Sequence, residues 1–184
     1  MGIKRKNKMD LIEKITEVEA KELELLQSNI EKAFDLVYKN DEFLITNGLC
    51  ERCIMFRFAG YLADLYPDYN VDCEYNRHIE NVKRIRKDKE IFPDVILHTR
   101  GVDENNFAII ELKNKTNPDD VGRKNDENKL RALTENKSDG NKDPLYNYGY
   151  KFGLAITVCG DSKETMQSIV VYRNGKKISQ DSKN

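Results

Sequence analysis

Three charged residues, Asp94, Glu111 and Lys113, lie at the ends of two β-rich runs of the sequence. The runs cover residues 92–98 and 107–113, and glycine, aspartate and asparagine residues separate them, which predicts a β-hairpin. If the hairpin is symmetric about the link between positions 102 and 103, Asp94 stands opposite Glu111. Because side chains alternate along a strand, Lys113 then shares the face of both carboxylates.

This pair of carboxylates predicts a divalent-metal site. Carboxylates opposed on a strand ladder have Cβ atoms ~5 Å apart and repel each other, so an apolar strand needs compensation to carry them. Oxygen ligands select Mg²⁺, Mn²⁺ or Ca²⁺ over zinc. An ammonium beside such an ion can hold a water molecule or neutralise charge on a phosphate. The alternative is an exposed sheet end, where Glu111 and Lys113 form an ordinary ion pair in solvent.

The two faces of the predicted hairpin differ in polarity. The alternation puts only apolar residues on the face opposite the carboxylates, and that face is expected to be pure core: Val95, Leu97, Ala108, Ile110 and Leu112. The face of the carboxylates begins apolar, with Ile96, Phe107 and Ile109, and ends in the three charged residues together.

The pattern Pro93-Asp94, followed after a gap of sixteen residues by Glu111-Leu112-Lys113, resembles the PD-(D/E)xK motif of restriction-endonuclease-like nucleases. The resemblance covers roughly residues 49–158. It implies an α/β fold with an αβββαβ core, a mixed central sheet flanked by helices, to which this chain adds a long N-terminal helix. It also implies hydrolysis of phosphodiester bonds in DNA with Mg²⁺ or Mn²⁺ as cofactor, in the setting of defence, restriction or repair.

The resemblance implies roles for individual side chains. Asp94 and Glu111 correspond to the metal-binding carboxylates, and Lys113 corresponds to the lysine that positions or activates the attacking water. The family often adds a glutamate from the helix before the sheet. Glu51 is the best match for this extra metal ligand, and Glu42 is the alternative.

Contacts with DNA must come from local patches, because 31 basic and 32 acidic side chains leave a net charge of −1. The densest basic run predicts one such patch: Lys83, Arg84, Arg86, Lys87 and Lys89. Lys129 is a further candidate contact, since with Asp126 it matches a polar pair that some family members carry on the following helix. An alternative groove would use Arg123, Lys124 and Arg131.

A long helix is predicted from Met9 to about Tyr38, because this segment lacks proline and glycine and is rich in Glu, Lys, Leu and Ala. Its apolar residues recur at spacings of three and four: Leu23, Leu26, Ile30, Ala33 and Val37. The seam either packs on the domain or pairs with a second copy or a partner protein. In the second case the chain could instead be a catalytically silent binding or assembly module of nuclease fold.

The other elements follow from periodicity and from breakers such as Pro67. We expect a helix over 49–66, a strand over 71–75, a helix over 126–134 and strands over 152–158 and 168–172. The polar stretches 77–90 and 114–125 are expected to be loop, the first of them loop or strand extension. The predicted organisation is a helix over 1–40, a nuclease-like domain over 41–175 and a flexible tail over 176–184.

The composition of the 184-residue chain fits one globular domain. No apolar run approaches the ~18 residues that a membrane-spanning helix needs, and the basic N-terminus has no apolar stretch behind it. We therefore expect a cytoplasmic protein with no membrane contact.

Cysteine and tyrosine residues give weaker signals. Only Cys50 and Cys53 form a C-x-x-C pair, without the second pair of ligands that zinc needs, so the four cysteines are expected to be small buried hydrophobes. Three alternating tyrosines, Tyr146, Tyr148 and Tyr150, are expected to pack on the core; stacking on bases is the alternative.

Overall fold

The computed structural model describes residues 15–47, 51–79, 81–86, 89–102, 104–114, 120–135, 148–158 and 166–178. Within these ranges the chain forms three helices and ten strands. Their bounds are α1 (Glu17–Thr46), α2 (Glu51–Leu65), β1 (Asn70–Cys73), β2 (Arg77–His78), β3 (Asn81–Val82), β4 (Arg84–Arg86), β5 (Lys89–Glu90), β6 (Val95–His98), β7 (Ala108–Asn114), α3 (Asp120–Thr134), β8 (Phe152–Val158), β9 (Met166–Arg173) and β10 (Lys176–Ile178).

A mixed six-stranded sheet forms the centre of the fold, in the strand order β1-β6-β7-β8-β9-β10. Strands β7 and β8 pair in parallel, and the other neighbouring pairs are antiparallel. A parallel pair needs a crossover connection, and α3 lies in the connection between β7 and β8. The predicted α/β architecture, with a mixed central sheet and a long N-terminal helix, is therefore confirmed.

Helices cover both faces of the sheet. α1 and α2 pack on one face, where all five hairpin residues that we expected in the core are buried: Val95, Leu97, Ala108, Ile110 and Leu112. α3 packs on the other face, where Leu130 and Leu133 meet Ile96 and Ile109. The alternation predicted for the hairpin is thus confirmed over β6 and β7.

Phe107 is the exception to this alternation. It precedes β7, and its ring contacts Tyr66, Tyr69 and Phe152 on the α2 side of the sheet rather than sharing the face of Glu111. The prediction for Phe107 was wrong because the residue lies outside β7, where the period of two along a strand no longer sets the face.

Helix α1 belongs to the core of the domain. Thr16 and Glu19 form a capping box at its start. Every residue of the apolar seam is at most 3% exposed, and the seam packs on α2 and the sheet: Leu23, Leu26, Ile30, Ala33 and Val37. The packing alternative is confirmed, so this seam is not available to a second copy or to a partner protein.

The end of α1 lies eight residues beyond the predicted end near Tyr38. The helix passes a local break at Asp41, where φ is −129°. The Asp41 carboxylate accepts hydrogen bonds of 2.8 Å from both Arg57 and Tyr61 of α2, so the break is held by side chains of the next helix. Residues 9–14 and 49–50 of the two predicted helices lie outside the described residues.

Two further boundaries differ from the prediction. α3 begins at Asp120, so part of the stretch that we expected to be irregular is helical. The predicted tail begins instead with β10, which pairs with β9 across the turn at Asn174 and Gly175 and buries Ile178. Residues 179–184 lie outside the described residues.

The polar stretch 77–90 contains two small two-stranded sheets, β2–β3 and β4–β5. The hydroxyl of Tyr148 accepts a bond of 2.6 Å from the Arg84 N–H and donates one of 2.8 Å to its carbonyl, which ties this region to the core. Tyr148 and Tyr150 are 1% exposed, so they are core residues rather than a platform for bases. Tyr146 lies outside the described residues.

Cys53 is exposed, so the expectation of a buried thiol was wrong there, while Cys73 is partly buried. Cys50 and Cys159 lie outside the described residues. Among the helices that the structure describes, none is both long and apolar enough to cross a bilayer.

Candidate active site

The hairpin register sets the geometry of the candidate site. β6 and β7 pair Val95 with Ile110, Ile96 with Ile109 and Leu97 with Ala108, as the predicted symmetry requires. One step outward from the Val95–Ile110 pair, the same register sets Asp94 opposite Glu111.

Asp94 is anchored to the backbone of the neighbouring strand. Its Oδ2 atom accepts a hydrogen bond of 2.7 Å from the Leu112 N–H. The carboxylate is therefore directed onto β7, at the position where the apolar part of the hairpin gives way to charged residues.

Glu111 is the most deeply buried member of the site. The residue is 1% exposed, and its Oε2 atom lies 2.5 Å from Lys129 Nζ on α3. Lys129 also donates a bond of 3.3 Å to the Phe92 carbonyl, just before β6. The buried carboxylate is thus paired with an ammonium that bridges α3 and the start of the hairpin.

Lys113 makes contacts with two further carboxylates. Its Nζ atom lies 3.1 Å from Asp126 Oδ2 on α3 and 3.7 Å from Glu51 Oε1 at the start of α2. Asp126 and Lys129 are three residues apart on α3, so they lie on one face of that helix. Asp126 Oδ1 is 3.6 Å from Lys129 Nζ, which joins the two lysines through one carboxylate.

The two candidates for the extra glutamate differ in position. Glu51 lies in the first turn of α2, within ion-pair distance of Lys113. Glu42 is exposed near the end of α1, where its backbone carbonyl accepts a hydrogen bond from the Thr46 hydroxyl. The geometry therefore favours Glu51.

Burial and the charge of a neighbouring carboxylate raise the pKa of each of the two hairpin carboxyls. Burial raises the pKa of Glu111 well above its ordinary value, and the charge of Asp94 raises it further, whereas Lys129 opposes both effects. Burial also raises the pKa of Asp94, although the Leu112 N–H and the two lysines act against it. Ionising these two carboxyls therefore costs free energy, and a cation bound nearby would lower that cost.

The two lysines respond in the opposite sense. Burial alone would lower the pKa of Lys113 and of Lys129, but the neighbouring carboxylates outweigh it and raise both values. Both groups are therefore ammonium ions at neutral pH, held in place by Asp126 and Glu111 respectively.

The charge of the cluster fits a divalent cation. Four carboxylates face two ammonium groups, so full ionisation leaves a deficit of two positive charges: Glu51, Asp94, Glu111 and Asp126 against Lys113 and Lys129. The Oε1 atom of Glu111 is buried without a hydrogen-bond partner. An all-oxygen donor set with an orphaned buried oxygen suits Mg²⁺ or Mn²⁺.

The same carboxylates do not form a ready-made cage. In the part of the chain that the structure describes, no three Asp, Glu, His or Cys side chains converge closely enough to hold a metal ion. The ammonium groups of Lys113 and Lys129 lie among the carboxylates instead. Binding of an ion would therefore require the lysines to exchange partners.

The basic patch that we predicted is not a continuous surface. Lys83 is 2% exposed, its ammonium donates to the Arg77 carbonyl, and it lies 4.8 Å from the centre of the Tyr75 ring, so its assignment as a DNA contact was wrong. Arg84 pairs with Glu90 at 2.7 Å. The Arg86 side chain and Lys87 lie outside the described residues, and Lys89 is exposed.

Lys129 also differs from its predicted role as an outer contact, because it lies against Glu111 inside the cluster. Three other cations line a cavity beside Glu111 and Lys113: Arg123, Lys124 and Lys177. The first two belong to the alternative groove suggested by the sequence. Lys177 was missed because residues from Lys176 onward were assigned to a tail, although the Asn174-Gly175 turn before Lys-Lys-Ile is a hairpin signal.

Comparisons of the chain with protein-family models, with curated proteins and with solved structures found no match.

Proposed function

We propose that this chain is a divalent-metal-dependent nuclease of restriction-endonuclease-like fold that hydrolyses phosphodiester bonds in DNA. Such activity would suit defence, restriction or repair. The observation that carries the proposal is the convergence of Asp94, Glu111 and Lys113 at one end of a hairpin, in the order and spacing of the PD-(D/E)xK motif. Asp126 and Lys129 of α3 and Glu51 of α2 meet the same cluster.

Asp94 and Glu111, with Glu51 as a third ligand, would hold Mg²⁺ or Mn²⁺. The ion, when bound, supplies a Lewis acid that polarises the phosphate and lowers the pKa of a water molecule. Lys113 orients that water or neutralises charge that develops on the phosphate. Asp126 keeps the Lys113 ammonium in position through their 3.1 Å contact.

Lys129 has a positioning role in this proposal. Its ammonium favours the ionised form of Glu111, which burial and Asp94 would otherwise keep protonated. Lys129 thus lowers the cost of ionising a metal ligand in a largely apolar surrounding.

A DNA substrate is compatible with the small net charge because cations are concentrated beside the cluster. Arg123 and Lys124 at the start of α3 and Lys177 on β10 line the same cavity as Glu111. These cations can contact the phosphates of a polyanion even though the whole chain is nearly neutral and carboxylates line the same cavity.

Substitution of Asp94 by asparagine tests the proposal. The amide oxygen can still accept the bond from the Leu112 N–H, so the fold is retained while one negative charge is removed. We expect Asp94→Asn to abolish Mg²⁺ binding in calorimetric titration and cleavage of plasmid and single-stranded DNA. Asp64→Asn, at an exposed position of α2, is the matched control and should behave as the parent.

Two results would contradict the proposal. Cleavage by Asp94→Asn at the parental rate would assign the activity to another site or to a contaminant. Absence of Mg²⁺ and Mn²⁺ binding by the parent at millimolar concentration would replace the nuclease by a binding module, in which the ion pairs of the cluster serve only the fold.

A further inference from the structure

A cavity of about 440 Å³ opens beside the charged cluster, between the first half of α3 and the strands β8 and β9. The sheet register defines its floor. Lys113, Thr157 and Ser168 are neighbours on adjacent strands, and the next row inward consists of Glu111, Ala155 and Val170. The floor is therefore continuous with the carboxylates of the candidate site.

The last turns of α3 make a close approach to the sheet at Gly153. At Gly153 an added Cβ would lie 2.8 Å from Thr134 Cγ2 and 3.3 Å from Leu130 Cδ2, so the absence of a side chain allows the last turns of α3 to touch the sheet. Beneath the first turns the floor carries the short side chains of Ala155 and Thr157. A gap remains there instead of a packed core.

The walls of the cavity have three kinds of chemistry. The cluster with Glu111 and Lys113 forms one side. The exposed cations Lys124 of α3 and Lys177 of β10 lie on other walls, and the carboxylate of Glu127, which also lines the cavity, is paired with Arg131 at 2.8 Å. The floor offers hydroxyl groups next to small apolar side chains. A ligand that matches these walls carries an anionic group for the cations and a flat, partly apolar group for the floor.

We propose that this cavity receives one unpaired nucleotide of the substrate, next to the phosphodiester that is cut, so that the substrate is single-stranded DNA. The inference rests on the nuclease function proposed above. The phosphate lies toward the cations, and the base lies over Ala155 and Val170.

The size of the cavity supports a single unpaired base. Pockets for small molecules enclose roughly 300–1,000 Å³, so this one is at the small end of the range. A base in a duplex is stacked and paired, and it would have to leave the helix before it could enter. An unpaired base enters without that cost, and contacts with its face do not depend on its identity.

The test uses thymidine monophosphate in the presence of Mg²⁺, because a mononucleotide has no phosphodiester to be cut. Binding is followed through the backbone amide signals of the 21.4 kDa chain in ¹H–¹⁵N spectra. We expect shifts for amides of β8 and β9, with weaker binding of thymidine and of inorganic phosphate alone. Equal binding of phosphate alone would overturn the inference, because the base would then contribute nothing.

Ser168→Trp fills the mouth of the cavity from an exposed strand position. We expect it to weaken thymidine monophosphate binding and to slow cleavage of single-stranded DNA by about tenfold or more, with Mg²⁺ binding unchanged. Asn81→Trp, at an exposed position of β3, controls for an added surface tryptophan. Unchanged nucleotide binding by Ser168→Trp would overturn the inference.

A second variant keeps the test independent of packing. Lys124→Gln removes one cation from the cavity wall, and Lys39→Gln removes one from the exposed surface of α1. We expect only Lys124→Gln to weaken binding and to reduce its dependence on salt. Equal effects of the two substitutions would contradict a phosphate subsite at this wall.

Failure of this inference is distinguishable from failure of the nuclease proposal. A parent that cleaves DNA but gives no β8 and β9 shifts with the mononucleotide retains its nuclease function and loses this subsite. A parent that binds the mononucleotide at these strands but cleaves nothing supports the subsite and loses the nuclease function.

Discussion

Lys129 Nζ lies 2.5 Å from Glu111 Oε2, so the most buried carboxylate of the cluster is neutralised by a lysine of the following helix. Burial raises the pKa of Glu111, and the charge of its hairpin neighbour Asp94 raises it further. Lys129 thus stabilises the metal-free protein and also contacts the Glu111 oxygen that a metal ion could bind. The stability of the metal-free protein and its affinity for a metal ion therefore depend on the same contact.

Lys129→Met should destabilise the metal-free protein and strengthen its response to metal. The substitution leaves the Glu111 carboxylate buried without its partner, a change that typically costs about 3–5 kcal/mol. It also removes a cation that competes with Mg²⁺. We expect the gain in melting temperature on addition of Mg²⁺ to be larger for the variant than for the parent, as measured by thermal unfolding with and without EDTA.

Lys39→Met controls for this experiment, because Lys39 is exposed on α1. An equal response of Lys129→Met and the parent to Mg²⁺ would show that the lysine and the ion do not share Glu111.

Lys113→Met should separate turnover from metal binding. The lysine contacts Asp126 and Glu51 rather than occupying a ligand position, so its loss should leave Mg²⁺ affinity intact or slightly increased. Removal of a group that acts mainly in the transition state lowers the rate without weakening the ground state. We expect cleavage to fall by about two orders of magnitude, as for loss of a preorganised donor. Parallel loss of metal binding would assign Lys113 to holding the site together instead.

The metal-free protein should lose stability as pH rises through the raised pKa of Glu111. Below the ordinary value of 4.5 the carboxyl is protonated in both folded and unfolded states. Above it the unfolded chain releases the proton while the buried carboxyl still retains it, so unfolding becomes easier until the folded-state pKa is passed. Glu111→Gln removes this titration.

The measurement is urea unfolding in EDTA across this pH range. The difference in unfolding free energy between the parent and Glu111→Gln should shift in favour of the variant as pH increases from 4.5 upward. A difference that stays constant with pH would mean that the Glu111 pKa is not raised.

Gly153→Ala should loosen α3 from the sheet. The new Cβ would lie 2.8 Å from Thr134 Cγ2, and Thr134 is held by bonds to the Leu130 carbonyl and the Gly175 N–H. Such overpacking typically costs about 1–3 kcal/mol. Since α3 carries Asp126 and Lys129, we expect lower cleavage as well as lower stability.

Gly60→Ala is the matched control for Gly153→Ala. An added Cβ at Gly60 meets nothing within 4 Å, and alanine is favoured over glycine inside a helix by about 0.5–1 kcal/mol. The control should therefore be more stable than the parent in urea unfolding. Equal stability of the two alanine variants would contradict the tight contact at Gly153.

Local patterns in the sequence determined the hairpin and the core face of the sheet. The period of two along residues 95–97 and 108–112 places Asp94 opposite Glu111 and buries Leu97 and Ile110, because side chains of a strand alternate and a turn sets the register. The seam of α1 was likewise readable from its spacing. The spacing could not tell whether the seam packs on its own domain or on another chain, because an apolar seam fits either surface.

Only the tertiary structure decided how the site is completed and what lies beside it. Lys129 meets Glu111, eighteen residues earlier, because α3 crosses from β7 to β8 and packs across the hairpin. Lys83 is buried although it lies in a charge-rich stretch of the sequence, since backbone carbonyls and the Tyr75 ring surround its ammonium. The cavity next to Glu111 lies between α3 and the strands β8 and β9. These contacts join elements distant in the chain, and packing between such elements leaves no periodic signal in the sequence.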